Sequence, residues 1–497
     1  MRQLLLGLDI GSSSIKASIV DAETGQSLVT TQSPAAEMPM LAIQPGWAEQ
    51  DTEMWWQHLV ISVRSCLKKS AVKAEEVKAI GISYQMHGLV VVDKDHKALR
   101  PSIIWCDSRA VGIGQQAARA LGEKYCLEHF LNSPGNFTAS KLKWVRDNEP
   151  VVFEKIHKIM LPGDYIAMRL SGDIVTTDTG LSEGIFWDYH TQSVSQKLLS
   201  YYGFDQNILP AIVPVFSVQG KVSKQAAVEL GLSAGVKISY RAGDQPNNAF
   251  SLNVLKPGET AATAGTSGVI YSVTDKNAYD HQSRVNTFIH VNNQPRKLSN
   301  GVLLCINGTG ILNSWLRKNT KGAGAAFDYE QMNALASGVS IGSEGLIILP
   351  FGNGAERIFE NRTLNCSIHG LDFNHHTQAH IFRAAQEGIV FALKYGFELL
   401  QDMGLKTSVI RAGHANMFLS SVFREVFVNT IGVPLELYNT DGATGAALGA
   451  GVGAGIFGSF ADAFRGLKII DSIAPDHQIQ SKYLMAYNEW KNMLKKN

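Results

Sequence analysis

The sequence predicts an α/β chain of two similarly built domains, on three observations. Short Leu/Ile/Val runs alternate with amphipathic stretches, the pattern of strands interleaved with helices. At 497 residues the chain is too long for one ordinary core. A segment near its middle also echoes its opening: "LLLGLDIGSSSIKASIVD" (4–21) and "TAATAGTSGVIYSVTD" (260–275) are each an apolar run, a turn of Gly and hydroxyl residues, and a second apolar run. The boundary is placed after Gly243, giving domains 1–243 and 244–497.

In the opening hairpin the turn through Gly11, Ser12 and Ser13 can offer backbone N–H groups and hydroxyls to one anion. It is not a P-loop, because it leads into a strand, and no G-x-G-x-x-G follows the first strand. Asp9 has two local readings, an Asx-turn residue bonding its own hairpin or a carboxylate holding a cation beside a phosphate. The second turn, through Gly265, Thr266 and Ser267, supplies a partner jaw but has Thr263 where the first has Asp9, which favours the metal role.

"TEMWWQHLVISVRSCLKK" (52–69) carries Trp55, Trp56, Leu59, Val60, Val63 and Leu67 at helical spacing behind an Asp51 cap. "VKAIGIS" (77–83) and "KIMLP" (158–162) read as buried strands. The polar break Gln85-Met86-His87-Gly88 then lies where open α/β sheets place ligand groups, beyond a strand's carboxyl end, although a lone His is commonly a satisfied structural one. "IIWCDSR" (103–109) delivers Trp105, Asp107 and Arg109 to a loop, with surface ion pairing the alternative for the last two. In "RAGDQPNNAF" (241–250) Asp244 sits at a helix start, where it is either an ordinary N-cap or a carboxylate able to accept a proton in phosphoryl transfer.

Charge excludes one class of partner. Lys+Arg 45 against Asp+Glu 44 leaves a net charge of +1 without blocks of like charge, so no nucleic-acid footprint is expected. Five scattered cysteines with no C-x-x-C suggest neither a disulfide framework nor a zinc site, and a reducing cytoplasm fits them. The start, with Asp9 inside its first apolar run, is not laid out as a signal peptide. The uncharged stretch 442–461 carries G-x-x-x-G spacing, but its Gly/Ala content predicts a tightly packed helix of a soluble core and no membrane contact.

Taken together and in order, these pieces resemble the FGGY family of carbohydrate kinases and, within it, the xylulokinase branch. The resemblance runs through "GLDIGSSSIKASIVD", "GWAEQDTEMWW", "QMHGLVVVD", "IIWCDSRA", "NFTASKLKWVRDNEP", "AGD" and "TAGTSG". It implies two actin-like (ribonuclease H-like) ATPase domains flanking a catalytic cleft, and ATP-dependent phosphorylation of a ketopentose, D-xylulose to D-xylulose 5-phosphate. Another sugar (L-xylulose, ribulose, fuculose or gluconate) is the nearest alternative, and a non-enzymatic actin-like ATP-binding protein the remote one. The cofactors implied are ATP and Mg2+, the partner a small-molecule sugar, and the assembly a homodimer.

By the same resemblance Asp244 is the general base and Asp9 the carboxylate that holds Mg2+ through water. Met86, His87, Gly88, Trp105, Asp244 and Gln245 form the sugar site. Gly11, Ser12, Ser13, Lys16, Gly265, Thr266, Ser267, Gly310, Gly413 and Asn416 bind the nucleotide. His414, Gln245 and Cys106 depart from the family pattern and bear on nucleotide and sugar preference.

Overall fold

The computed structural model describes residues 2–321 and 326–496. They divide into two compact units, each built on one mixed sheet.

The first sheet contains β1 (Leu4–Ile10), β2 (Ile15–Asp21), β3 (Ser27–Ser33), β4 (Val77–Tyr84), β5 (Phe216–Lys221) and β6 (Lys237–Gly243), in the spatial order β5-β6-β4-β1-β2-β3. β1 pairs antiparallel with β2 and parallel with β4, and β4 runs parallel to β6. A central strand covered on both faces must be apolar throughout, and β1 is buried along its length except at Asp9, which is partly exposed. One face is covered by the helix Thr52–Ser70, whose Trp55, Trp56, Leu59 and Val63 join the core and whose Asp51 caps it by accepting from the Glu53 amide at 2.9 Å.

The other face is covered by the helix Gly442–Gly453, so the G-x-x-x-G stretch is indeed a packing device. Its backbone lies so close to the sheet that a Cβ on Gly7 would fall 1.7 Å from the Ala443 carbonyl oxygen. One on Gly81, the register partner of Gly7, would fall 1.9 Å from that of Ala446. Among the described residues no helix is long and apolar enough to cross a membrane.

The second sheet contains β7 (Glu259–Ala264), β8 (Gly268–Thr274), β9 (Asn286–Ile289), β10 (Asn300–Ile306), β11 (Val409–Gly413), β12 (Leu435–Tyr438) and β13 (Ile469–Ile473), in the order β9-β10-β8-β7-β11-β12-β13. Its first hairpin is antiparallel, the next two pairings are parallel and the edge strand is antiparallel, as in the first sheet. The internal echo in the sequence therefore marks a repeated topology. The long helix Gln378–Asp402 supplies much of this unit's core.

One expectation is corrected. The first unit takes residues 1–253, 288–300 and 440–467, so the 243/244 boundary is displaced and the chain returns twice. Contact is the reason: the helix Asp244–Ser251 packs on the Gly442–Gly453 helix, which packs on β1, β4 and β6. The strand expected at 158–162 forms over Lys158–Met160, where it pairs with Val90–Val92 in a two-stranded ribbon outside the main sheet.

Candidate active site

In the first unit the side chains expected to be functional sit at the carboxyl ends of three adjacent strands. Asp9, the last residue but one of β1, faces Lys16 of β2 in register, and its Oδ1 accepts the Ser83 hydroxyl of β4 at 2.9 Å. That bond goes to a neighbouring strand, which removes the Asx-turn reading. The Gly442–Gly453 helix begins against the other oxygen, where a Cβ on Gly442 would lie 2.9 Å from Asp9 Oδ2. Burial raises the Asp9 carboxyl above its ordinary range, Lys16 and Ser83 pull it back, and Asp441 adds to the rise.

Asp244 follows β6. The N-cap of its helix is Gly243 and Asp244 is the first helical residue, so the N-cap reading is also removed. It is partly exposed, yet burial and then the neighbouring charge of Asp9 push its carboxyl up to about 7, against a bond from Gln245 Nε2 at 3.2 Å. The charge on Asp9 thus opposes ionisation of Asp244.

Met86, His87 and Gly88 follow β4, as expected. A Cβ on Gly243 would fall 2.6 Å from Met86 Cγ and 2.5 Å from Glu183 Oε2, so the Met86 segment abuts the strand end that carries Asp244. His87 has φ of 60°, in the left-handed region. Its Nδ1 lies 3.0 Å from the Glu183 carbonyl, and its ring meets Phe137 and Phe288 at 4.9 and 5.2 Å.

Trp105 is 40 % exposed and its indole N–H donates to the Ser12 hydroxyl at 3.2 Å, joining the expected sugar loop to the first turn. That turn is also tied by Gln50 Nε2 to the Ser12 carbonyl and by the Met38 amide to the Ser13 carbonyl. Asp107 and Arg109 are not a surface pair. Both are buried, and the guanidinium lies over Trp47 at 3.8 Å with Asp107 and Glu49 as its counter-charges.

Three buried groups here were not read from the sequence. Glu183 has its carboxyl held well above the usual carboxylate range by burial, against the His87 amide, with Asp244 and Asp164 adding to the rise. Asp164 lies 3.2 Å from the fully buried Arg241. Lys141 is completely enclosed. Its position inside the "TASK" stretch was the one available signal; nothing local distinguishes Glu183 or Asp164.

In the second unit the turn Gly265–Ser267 meets the start of the helix Gly310–Asn319. The Gly310 amide donates to the Gly265 carbonyl at 2.9 Å and the Ile311 amide to the Thr266 carbonyl at 3.2 Å. Gly310 thus contributes close approach, since its Cβ would fall 2.1 Å from that carbonyl oxygen, while its own N–H is already engaged. Asn416, at φ 55°, places its amide 3.6 Å from where a Gly265 Cβ would be, and Gly413 ends β11 three residues earlier. The turn, Gly310, Gly413 and Asn416 form one neighbourhood, rich in hydroxyl and amide groups.

Elsewhere in this unit Glu344, His375 and His380 bring ligand atoms within 4.8 Å of one another. His380 Nδ1 accepts from the Thr377 amide, which leaves Nε2 protonated and turned to Glu344. The trio is a carboxylate collecting imidazole donors, an arrangement opposed to metal ligation through that nitrogen.

The chain can be set beside known proteins on this basis. Residues 4–251 match the FGGY family of carbohydrate kinases, N-terminal domain, and residues 260–455 match its C-terminal domain. A xylulose kinase from Bacillus subtilis (strain 168) is 28% identical over 499 residues, covering 98% of this chain and 96% of its own. One from Lactococcus lactis subsp. lactis (strain IL1403) is 30% identical over 403 residues, covering 80% and 77%. In fold, the crystal structure of a xyloylose kinase from Brucella ovis superposes with a TM-score of 0.86 at 24% identity, covering 99% of both chains. Matched through both domains and along nearly its whole length, the chain belongs to the FGGY family of carbohydrate kinases and is a sugar phosphotransferase.

Proposed function

We propose that this enzyme transfers the terminal phosphoryl group of ATP to a ketopentose, converting D-xylulose to D-xylulose 5-phosphate, with Asp244 as general base. The observation that carries the reading is the setting of Asp244, whose carboxyl is raised to about 7 beside the segment that holds Met86 and His87. A base matched to neutral pH takes a proton most effectively there. The choice of sugar is supported by the relatives from Bacillus subtilis and Lactococcus lactis, both xylulose kinases.

A sugar hydroxyl oxygen attacks the terminal phosphorus, its proton passes to Asp244, and the bond to the departing ADP breaks. Met86, His87, Gly88, Trp105 and Gln245 orient the sugar. Gly11, Ser12, Ser13 and Lys16, and Gly265, Thr266, Ser267, Gly310, Gly413 and Asn416, are the residues that this reading assigns to the nucleotide. The residues around Asp9 fit a divalent cation, because Asp441 adds to the negative charge on Asp9, Asp9 in turn raises Asp244, and Lys16 is the cation that offsets Asp441 at Asp9. Asp9 would hold Mg2+ through water, and the ion would supply neutralisation of phosphate charge.

An ADP-release assay over D-xylulose, L-xylulose, ribulose, fuculose and gluconate tests the reading. D-xylulose is expected to give the highest kcat/KM. A higher value for another sugar replaces the substrate, and stimulation by none of them overturns the ketose assignment.

A further inference from the structure

Lys141 lies on the helix Thr138–Asn148 and has no solvent exposure, yet its ammonium is not paired with a carboxylate by hydrogen bonding. Its Nζ instead donates to two backbone carbonyls from different loops, that of His87 and that of Ile104, both at 2.9 Å. The first belongs to the Met86–Gly88 segment and the second immediately precedes Trp105. These are the two loops proposed to hold the sugar.

His87 makes the contact consequential. A non-glycine residue at positive φ persists only where its surroundings hold it. Lys141 holds its carbonyl, the Glu183 carboxylate receives its amide at 3.4 Å, and the Glu183 carbonyl receives its ring nitrogen. With Nδ1 donating to that carbonyl, the imidazole is held in one orientation. A sugar hydroxyl, which both donates and accepts, is the kind of group that a ring so oriented recognises.

We infer that Lys141 is a positioning residue for the acceptor sugar: its ammonium joins the His87 and Trp105 loops and fixes His87 in the strained conformation that recognises a substrate hydroxyl. This rests on the reading of those loops as the sugar site. A buried ammonium is a costly way to join two carbonyls, and it is effective because charge-assisted bonds are stronger than neutral ones. Burial lowers the Lys141 pKa to about 8; Asp107 and Cys106 favour the charged form and Arg109 opposes it. The joint should therefore weaken as pH rises through 8.

The test is sugar and nucleotide kinetics of the full-length enzyme across pH 6.5 to 9.5, for wild type, Lys141→Met, Lys141→Arg and His87→Ala. In the wild type the sugar KM is expected to rise above pH 8 while the ATP KM holds, a measurement that needs no variant to fold. Lys141→Met should raise the sugar KM about tenfold or more, equivalent to about 1.4 kcal/mol, and abolish that rise. Lys141→Arg, which keeps a charge at all these pH values, should recover part of the affinity and shed the alkaline limb. If His87→Ala weakens sugar binding but Lys141→Met does not, or if sugar and ATP KM rise together, the inference fails. If His87→Ala leaves the sugar KM unchanged, the sugar-site reading fails instead.

Discussion

The hairpins Leu4–Asp21 and Glu259–Thr274 share a fold and differ in what they carry. Counting back from each turn, Asp9 corresponds to Thr263, Lys16 to Val269 and Gly7 to Ala261. The first hairpin has an acid opposite a base in register near its tip, and the second has a hydroxyl facing an apolar residue. Their supports differ as well. The first turn is held by side chains, Gln50 and Trp105, together with the Met38 amide, whereas the second is held by the opening amides of a helix. If both turns hold phosphate as proposed, only the first brings a carboxylate there, and with it a place for a cation between the two negative charges.

The difference is most directly broken at Asp244, the carboxyl beyond the end of β6 that Asp9 raises. Asp244→Asn is expected to lower kcat about 10³-fold or more, within the range for loss of a general base, while sugar and ATP still bind in calorimetry. The same variant should melt at a higher temperature than wild type at pH 8. A carboxyl whose folded pKa of about 7 stands above its unfolded 3.8 carries a cost that is full above pH 7 and fades as pH falls towards 3.8. A melting temperature that drops at pH 8 would place Asp244 in structural support and not in catalysis.

Exchange of the hairpin residues sharpens the contrast. Asp9→Thr, which gives the first hairpin the residue of the second, should cost about 10- to 100-fold in activity and raise the Mg2+ requirement. It should also move the acid limb of kcat/KM below its wild-type position near 7, because Asp9 is one of the charges that raises Asp244. The reciprocal Thr263→Asp should weaken ATP binding without creating a second metal requirement. Metal titrations and pH profiles of the two variants that coincide would mean that the hairpins are not differentiated.

The smallest contrast is one of packing. Gly7→Ala has to displace a helix backbone and is expected to cost about 3 kcal/mol or more, whereas Ala261→Gly in the second unit should cost about 1 kcal/mol by denaturant unfolding. Equal losses would mean that the close helix approach in the first unit is not what requires glycine there.

Much of the site was legible because its residues sit where strands end. Asp9, Met86, His87 and Asp244 each follow an apolar run, and period and punctuation expose such positions to inspection. Lys141 and Glu183 were not legible, since one lies inside a helix and the other ends one, and only the folded chain brings them to His87. Asp107 and Arg109 look like surface charges in sequence; Trp47, 62 residues upstream of Arg109, is what covers the guanidinium.

By itself the sequence determined two α/β domains with matching hairpins, the strand-end carboxylates and, through motifs kept in order, the family. Those are properties of local patterning, which repeats every two or 3.6 residues and survives in one dimension. The tertiary structure alone decided that the Gly442–Gly453 helix covers the first sheet, that Asp9 bonds across strands, that Gly310 spends its amide on Gly265, and that a buried lysine joins two loops. Each depends on contacts between segments far apart in the chain, and no local period encodes which distant backbone a glycine must admit or which carbonyl an ammonium will meet.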